Sequence, residues 1–131
     1  MIRYTCGQPL TATQFADVLN RSCIHRPTAD LPRLQRMLDE ADILWTAWEG
    51  EELVGVARSI TDFAYCCYLS DLAVDQRCQK QGIGRALIQR TKEQLGDGVS
   101  LILLSAPGAM AYYPKIGMDH ADNAFIIKRK G

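Results

Sequence analysis

Two glycines and an unusual run of charge mark the stretch of this chain whose residue types could do chemistry. Gly82 and Gly84 lie in Gln79-Lys80-Gln81-Gly82-Ile83-Gly84, and from Ile83 onward Ile83, Leu87, Thr91 and Leu95 recur every four residues, one face of a helix. Ahead of the glycines, Leu69, Leu72, Ala73 and Val74 give an apolar run of strand length. Glycine allows close backbone approach and dihedrals that other residues avoid. The first turn of a helix carries unpaired N–H groups and the positive end of the macrodipole, so it ordinarily favours Asp or Glu. Here no acid occurs between Gln76 and Lys92, while Arg77, Lys80, Arg85, Arg90 and Lys92 all do, and Arg85 stands in that first turn. Free amides, two glycines and added cations at a helix start make a site for an anion, above all a phosphate. The competing reading of the same charges is a solvated basic helix face.

Spacing removes two familiar phosphate loops. A P-loop needs GxxxxGK followed by Ser or Thr, and no such string occurs. The dinucleotide fingerprint needs a third Gly or Ala three residues after the second Gly, where this chain has Leu87. The acid expected about 20 residues further on is not evident, because that region is the apolar run Val99 to Leu104.

The string from Gln79 to Gly84 does match the Q/R-x-x-G-x-G/A signature of the GNAT acetyltransferase superfamily. A second segment, Ala109 to Met118 (AMAYYPKIGM), resembles that family's A-x-x-F-Y-x-K-x-G-F pattern, and the two follow in the family's order with one helix and one strand between them. The resemblance covers roughly residues 68 to 118. It implies an acetyl-coenzyme A-dependent N-acetyltransferase, an acyltransferase moving an acetyl group to a primary amine by direct attack in a ternary complex. It implies that the loop residues Gln79, Lys80, Gln81, Gly82, Ile83, Gly84 and Arg85 hold the pyrophosphate. The backbone of Leu72, Ala73 and Val74 would hydrogen-bond the pantetheine arm, and the thioester would lie where two neighbouring strands splay apart. No metal is implied.

The same resemblance makes Tyr113 the candidate acid facing the coenzyme sulfur; a phenol with a pKa near 10 stays protonated at neutral pH and can donate. Tyr112 falls on the family's apolar position and reads as core. The base is less defined. Several relatives carry a glutamate on the central strand, and alignment on Leu72-Ala73-Val74 puts Tyr68 there. Asp71 is an alternative, although strict alternation sets it on the opposite face from Tyr68, Ser70 and Leu72; a water relayed by Tyr68, Ser70 or Asp62 is another. Ala106 stands where the family often has Asn, so Ser105 is the candidate to replace that pantetheine contact. The missing strand carboxylate and Ala106 also motivate an alternative function, a non-catalytic acyl-coenzyme A-binding module that regulates a protein partner.

The remaining composition sets limits. With 131 residues and 47% hydrophobic content, residues 1 to 131 read as one domain with a modest core. Fifteen basic and fifteen acidic residues leave no net charge, which argues against general nucleic-acid binding. No apolar run is long enough for a membrane span, and the first ten residues lack the apolar centre of a signal peptide. Five cysteines, an odd number without C-x-x-C spacing, read as reduced cytoplasmic thiols. The acceptor, a small-molecule amine or a protein amine, is not readable; in the family it is set by the first two helices, their loop from Asn20 to Leu31 and the strand edge from Asp62 to Tyr68. Relatives are often dimers, so a homodimer is an expectation.

The elements that must position these groups follow from periodicity and punctuation. Ile2 to Tyr4 is a short strand, and Thr11 with Gln14 forms a capping box before a helix to about Asn20. Asp30 caps a second helix on Leu31, Leu34 and Leu38 that ends near Ala41. Ile43 to Trp48 and Leu53 to Ile60 form a hairpin about Glu49 to Glu52. Ala64 to Val74 is a third antiparallel strand leading into the glycine loop. Helix Ile83 to Leu95 ends at Gly96-Asp97-Gly98, and Val99 to Leu104 is a parallel strand covered on both faces. Pro107 to Tyr113 is a short helix that Pro114 helps to terminate, and Phe125 to Ile127 is the last strand. The fold expected is α/β, a mixed and mostly antiparallel sheet with helices on both faces; by resemblance it is the GNAT fold, splayed at the cofactor site.

Overall fold

The computed structural model describes residues 1–131, and nine helices and strands run β1 (Ile2–Cys6), α1 (Ala12–Ser22), α2 (Leu31–Asp39), β2 (Ile43–Glu49), β3 (Glu52–Thr61), β4 (Cys66–Val74), α3 (Ile83–Leu95), β5 (Ser100–Ile102) and α4 (Tyr112–Lys115). Local chemistry explains the boundaries. The Gln14 amide donates to Thr11 Oγ1 and the Thr11 amide to Gln14 Oε1, both at 3.0 Å, a complete capping box. Asp30 Oδ1 accepts from the Arg33 amide at 3.2 Å, and Pro32 fits the first turn of α2, where no N–H is needed. Helix α3 ends at Gly96 (φ 79°).

The five strands lie side by side in chain order, with three antiparallel pairs and one parallel pair, β4 with β5. Helices cover both faces. Phe15, Val18 and Leu19 of α1 and Leu34 of α2 pack on Trp48, Val56 and Ala73, while Ile83, Leu87 and Ile88 of α3 pack on Val54, Ala57 and Leu69. No helix is long and apolar enough to cross a membrane.

Two bulges shape the sheet. Between Leu53 and Gly55, Val54 is an extra residue opposite β2, and between Leu69 and Asp71, Ser70 is an extra residue opposite β3. The second one overturns strict alternation along β4. Cys67 and Leu69 pack on the α3 side, yet beyond the bulge it is Leu72 and Val74 that do so, and Ala73 joins the α1 side. Asp71 therefore shares a face with Tyr68, contrary to a period of two, although it remains opposite Leu72.

The chain departs from expectation most after residue 99. Strand β5 holds three residues, and only one of its faces is covered: Leu101 and Leu103 pack toward α3, while Ile102 and Leu104 are exposed. Pro107 to Ala109 is a single 3₁₀ turn, and Pro114 sits inside the first turn of α4, where a missing N–H costs nothing, instead of terminating a helix before it. Phe125 to Ile127 form no strand; Phe125 and Ile127 are 98% and 100% exposed. Their β-prone side chains have no strand edge beside them with which to exchange hydrogen bonds. Strand β4 also begins later than expected, because Asp62 Oδ1 gathers the amides of Ala64, Tyr65 and Cys66 into a turn.

One glycine sets how near α3 lies to the sheet. A Cβ on Gly55 would stand 3.1 Å from Ile83 Cγ2 and 3.3 Å from Leu87 Cδ1. Gly55→Val overpacks this contact and is expected to lower the unfolding free energy by about 1–3 kcal/mol, read as an earlier midpoint in denaturant titration with unchanged slope.

Candidate active site

The glycine loop begins where β4 ends. Asp75 is buried, and it gathers the chain there: its amide donates to Val54 O at 2.8 Å, and its Oδ1 accepts from the Arg77 amide at 2.9 Å. Oδ2 takes the Arg77 guanidinium at 2.8 Å and stands 3.0 Å from Arg21 Nε. The Arg77 hydrogen bond, more than any other cause, holds this carboxyl below its ordinary range, against burial. Arg77 also reaches Glu52. Arg77 is thus spent on carboxylates. Arg90 stacks over the rings of Tyr4 and Trp45, at 4.6 and 5.5 Å, and Lys92 caps the far end of α3 through Gly96 O and Val99 O. Of the five cations that mark this region in sequence, Lys80 and Arg85 remain exposed and unpaired beside the loop.

The loop itself is a cradle of amides. Lys80 (φ 71°) and Gly82 (φ 78°) both take left-handed backbone, unusual for a lysine. The first hydrogen bond of α3 runs from the Ala86 amide to Gly82 O at 3.0 Å, so the amides of Ile83, Gly84 and Arg85 have no intrahelical acceptor. No acid stands in the first turn. Gln79 folds its side-chain amide back onto Val74 O, 3.1 Å, and its main-chain amide donates to Gln76 O at 3.4 Å. Amide donors, two free cations and a bare Gly82 fit a diphosphate.

The edge of β4 opens next to this cradle. Its pairing with β5 covers Cys66 to Tyr68 and then stops, so Leu69 to Val74 have no strand partner on that side. This parting of the strands is the splay. Tyr113 lies on the α3 side of it, packed against the cluster of Leu69, Ile83 and Leu87. Its ring meets that of Tyr112 edge to face at 5.2 Å. Burial, chiefly, pushes the Tyr113 phenol up from its ordinary value, so it is a neutral donor at physiological pH. Ser105 donates its hydroxyl to Ala106 O at 2.7 Å and retains only acceptor capacity.

Across the sheet lies a second constellation. Asp71 is fully buried and sits directly across from Arg58. Its two oxygens take Arg26 Nε and Arg58 Nε, each at 2.5 Å. The same arginines hold the bulge: Arg26 donates to Ser70 O at 2.8 Å and Arg58 to Ser70 Oγ at 3.1 Å. Arg26 belongs to the loop between α1 and α2, so this lock ties that loop to the splayed strand. Asp71 loses its support as a base, since neither oxygen faces open space. Tyr68 stays 41% exposed, and its register partners Ile60 and Ile102 are 41% and 50% exposed. Together they form an apolar row across three strands that no helix covers. Sequence reasoning missed this row and the Arg26–Asp71–Arg58 lock, because both depend on register and on the bulge. Trp48 is buried in the core with its Nε1 on Thr46 Oγ1 at 2.8 Å and borders no cleft.

Comparison with known proteins agrees with this geometry. The family model for the acetyltransferase (GNAT) domain matches residues 21–127. The chain belongs to the GNAT acetyltransferase family. A curated relative, serotonin N-acetyltransferase 2, chloroplastic, of Oryza sativa subsp. japonica, is 31% identical over 97 residues, which is 70% of this chain and 48% of the relative. The chain thus spans about half the length of that relative. Among solved structures, a protein of unknown function from meticillin-resistant Staphylococcus aureus superposes with a TM-score of 0.84 at 19% identity, covering 98% of this chain and all of that one. A GNAT family acetyltransferase from Streptococcus pneumoniae TIGR4 gives 0.77 at 18% identity, covering 99% of this chain and 100% of its own. These two show the fold. Acetyl transfer is the chemistry for which this family is named.

Two outcomes test these local assignments. Asp71→Asn leaves two guanidiniums without a counter-charge in a buried setting, which should cost about 3–5 kcal/mol of stability, while the pH dependence of any remaining activity keeps its shape. For Asp75, a folded-state pKa below the unfolded value of about 3.9 means that its stabilisation is complete above that value and is lost as pH falls further. Thermal melts from neutral pH to acid should therefore show a loss below about pH 4 that Asp75→Asn removes.

Proposed function

We propose that this protein is an N-acetyltransferase that moves the acetyl group of acetyl-coenzyme A to the primary amine of a small acceptor bearing an aromatic ring, by direct attack in a ternary complex. The single observation that carries the transfer chemistry is the junction of the amide cradle, the open edge of β4 and the Tyr113 phenol at the sheet's splay. The acceptor class rests on the apolar row of Ile60, Tyr68 and Ile102 beside that splay, on the face opposite α3, and on a relative named for serotonin.

In this reading the cradle of Lys80 to Arg85 holds the diphosphate as a remote anchor. The unpaired backbone of β4 between Leu69 and Val74 takes the pantetheine arm. Fixing the thioester this way supplies positioning, which can lower a barrier by roughly 7–11 kcal/mol. The acceptor lies on the Tyr68 side of the sheet and reaches the acetyl carbon through the gap. An alkyl amine with a pKa near 10.4 is only about 0.04% neutral at pH 7, and its excess proton leaves to water on the exposed face before attack. Nitrogen then bonds to the carbonyl carbon, and a main-chain N–H of the splayed strand supports the oxygen as it turns negative. The carbon–sulfur bond breaks as Tyr113 gives its proton to the thiolate, the nitrogen gives up one of its two protons to water, and a proton taken back from solvent restores the phenol.

The test is release of free thiol from acetyl-coenzyme A over a panel of amines. Arylalkylamines should turn over faster than amino sugars or peptide N-termini. Tyr113→Phe should lower kcat by about 10²-fold with the acceptor KM little changed. Equal turnover in the variant would remove Tyr113 from the mechanism, and tight coenzyme binding with no amine acetylated would favour a regulatory acyl-coenzyme A-binding module instead.

A further inference from the structure

We propose that Tyr112 is a coenzyme-binding residue whose hydroxyl donates a hydrogen bond to a diphosphate oxygen of coenzyme A at the start of α3. The inference rests on the cofactor reading above and assigns a role to a side chain that the sequence marks as core. Its position is set by Gly84. A Cβ on that residue would lie 3.2 Å from Tyr112 Oη, 3.9 Å from its Cζ and 3.8 Å from Val74 Cγ2. The phenol tip therefore hangs over the second glycine of the loop, between the end of β4 and the first turn of α3, and the ring is 36% exposed.

The hydrogen-bond arithmetic at this point is one-sided. The Arg85 amide is one of the donors without an intrahelical acceptor, and the phenol oxygen stands beside that first turn, over Gly84. The phenol proton has no acceptor among the protein's own groups. A hydroxyl beside the helix end with its own proton free adds one more donor, further out, to the set that the first turn presents. Burial raises the phenol's pKa, and the Arg85 charge and amide only partly oppose this, so the hydroxyl is neutral and able to donate where a phenolate would repel phosphate. The motif that this segment resembles has a side chain without a hydroxyl at this position. The second glycine position of the loop signature accepts Gly or Ala, and here a Cβ would crowd the hydroxyl at 3.2 Å.

Calorimetric titration with coenzyme A and with pantetheine, which lacks the diphosphate, separates this role from packing. Tyr112→Phe keeps the ring over Gly84 and removes only the hydroxyl. The variant should melt as the unaltered protein does and bind coenzyme A about tenfold or more weakly, the worth of one hydrogen bond to a charged group. Pantetheine should bind both proteins alike. Equal affinity of both proteins for coenzyme A would overturn the assignment, and so would an equal loss for both ligands, which would make Tyr112 a packing residue. Should the unaltered protein take up no coenzyme A, the cofactor reading itself falls and this one with it, a result distinct from both proteins binding alike.

Discussion

The carboxylate of Asp71, held between two guanidiniums at an extra residue of the central strand, is the interaction on which the site's shape depends. Ser70 interrupts the ladder between β3 and β4, and an interrupted ladder leaves polar main-chain groups to satisfy. Arg26 takes the Ser70 carbonyl and Arg58 its hydroxyl, while Asp71 neutralises both cations. Such a buried pair is a poor source of net stability but a strict geometric constraint, because removing either sign strands the other. What it constrains is the course of β4 past the bulge. There the strand leaves β5, and its free edge arrives beside the amides of α3.

Around that point the chain divides the work between two faces. On the α3 side stand the cradle, Tyr112 and Tyr113. On the α1 and α2 side stand the arginine lock and the row of Ile60, Tyr68 and Ile102. The amide cradle and the apolar row share only the strand between them. The loop from α1 to α2 is tied to that strand through Arg26, so the face with the apolar row is in direct contact with the bulge beside the open edge.

Local chemistry made the helices and hairpin readable in the residues. The capping box at Thr11, the Asp30 cap, the four-residue recurrence from Ile83 and the glycine stop at Gly96 each act within one or two turns, and each element lies where those signals put it. The run of free amides at the start of α3 was readable for the same reason, since its donors are consecutive residues. What escaped reading is what depends on distant partners. Alternation along β4 misplaced Asp71 relative to Tyr68, because nothing in Leu69-Ser70-Asp71 announces a bulge. The cations of 77 to 92 looked equivalent, but Arg77, Arg90 and Lys92 are committed to Asp75, to two aromatic rings and to two carbonyls. Phe125 to Ile127 have strand-forming side chains, and only a neighbouring edge could have made them a strand. Tyr112 looked like core because its ring is apolar, while its hydroxyl is what meets the loop.

The sheet's spatial order repeats its order along the chain. The second, third and fourth strands follow one another through short reversals, closures that involve little loss of chain entropy, whereas the first pairs with the second across the whole segment that carries α1 and α2. The fifth joins only once the segment carrying α3 has crossed the sheet, a second non-local closure of the assembly. The gap of the proposed site lies between the fourth and fifth strands, so the cleft comes into being only when that crossover has docked and does not belong to the hairpins alone.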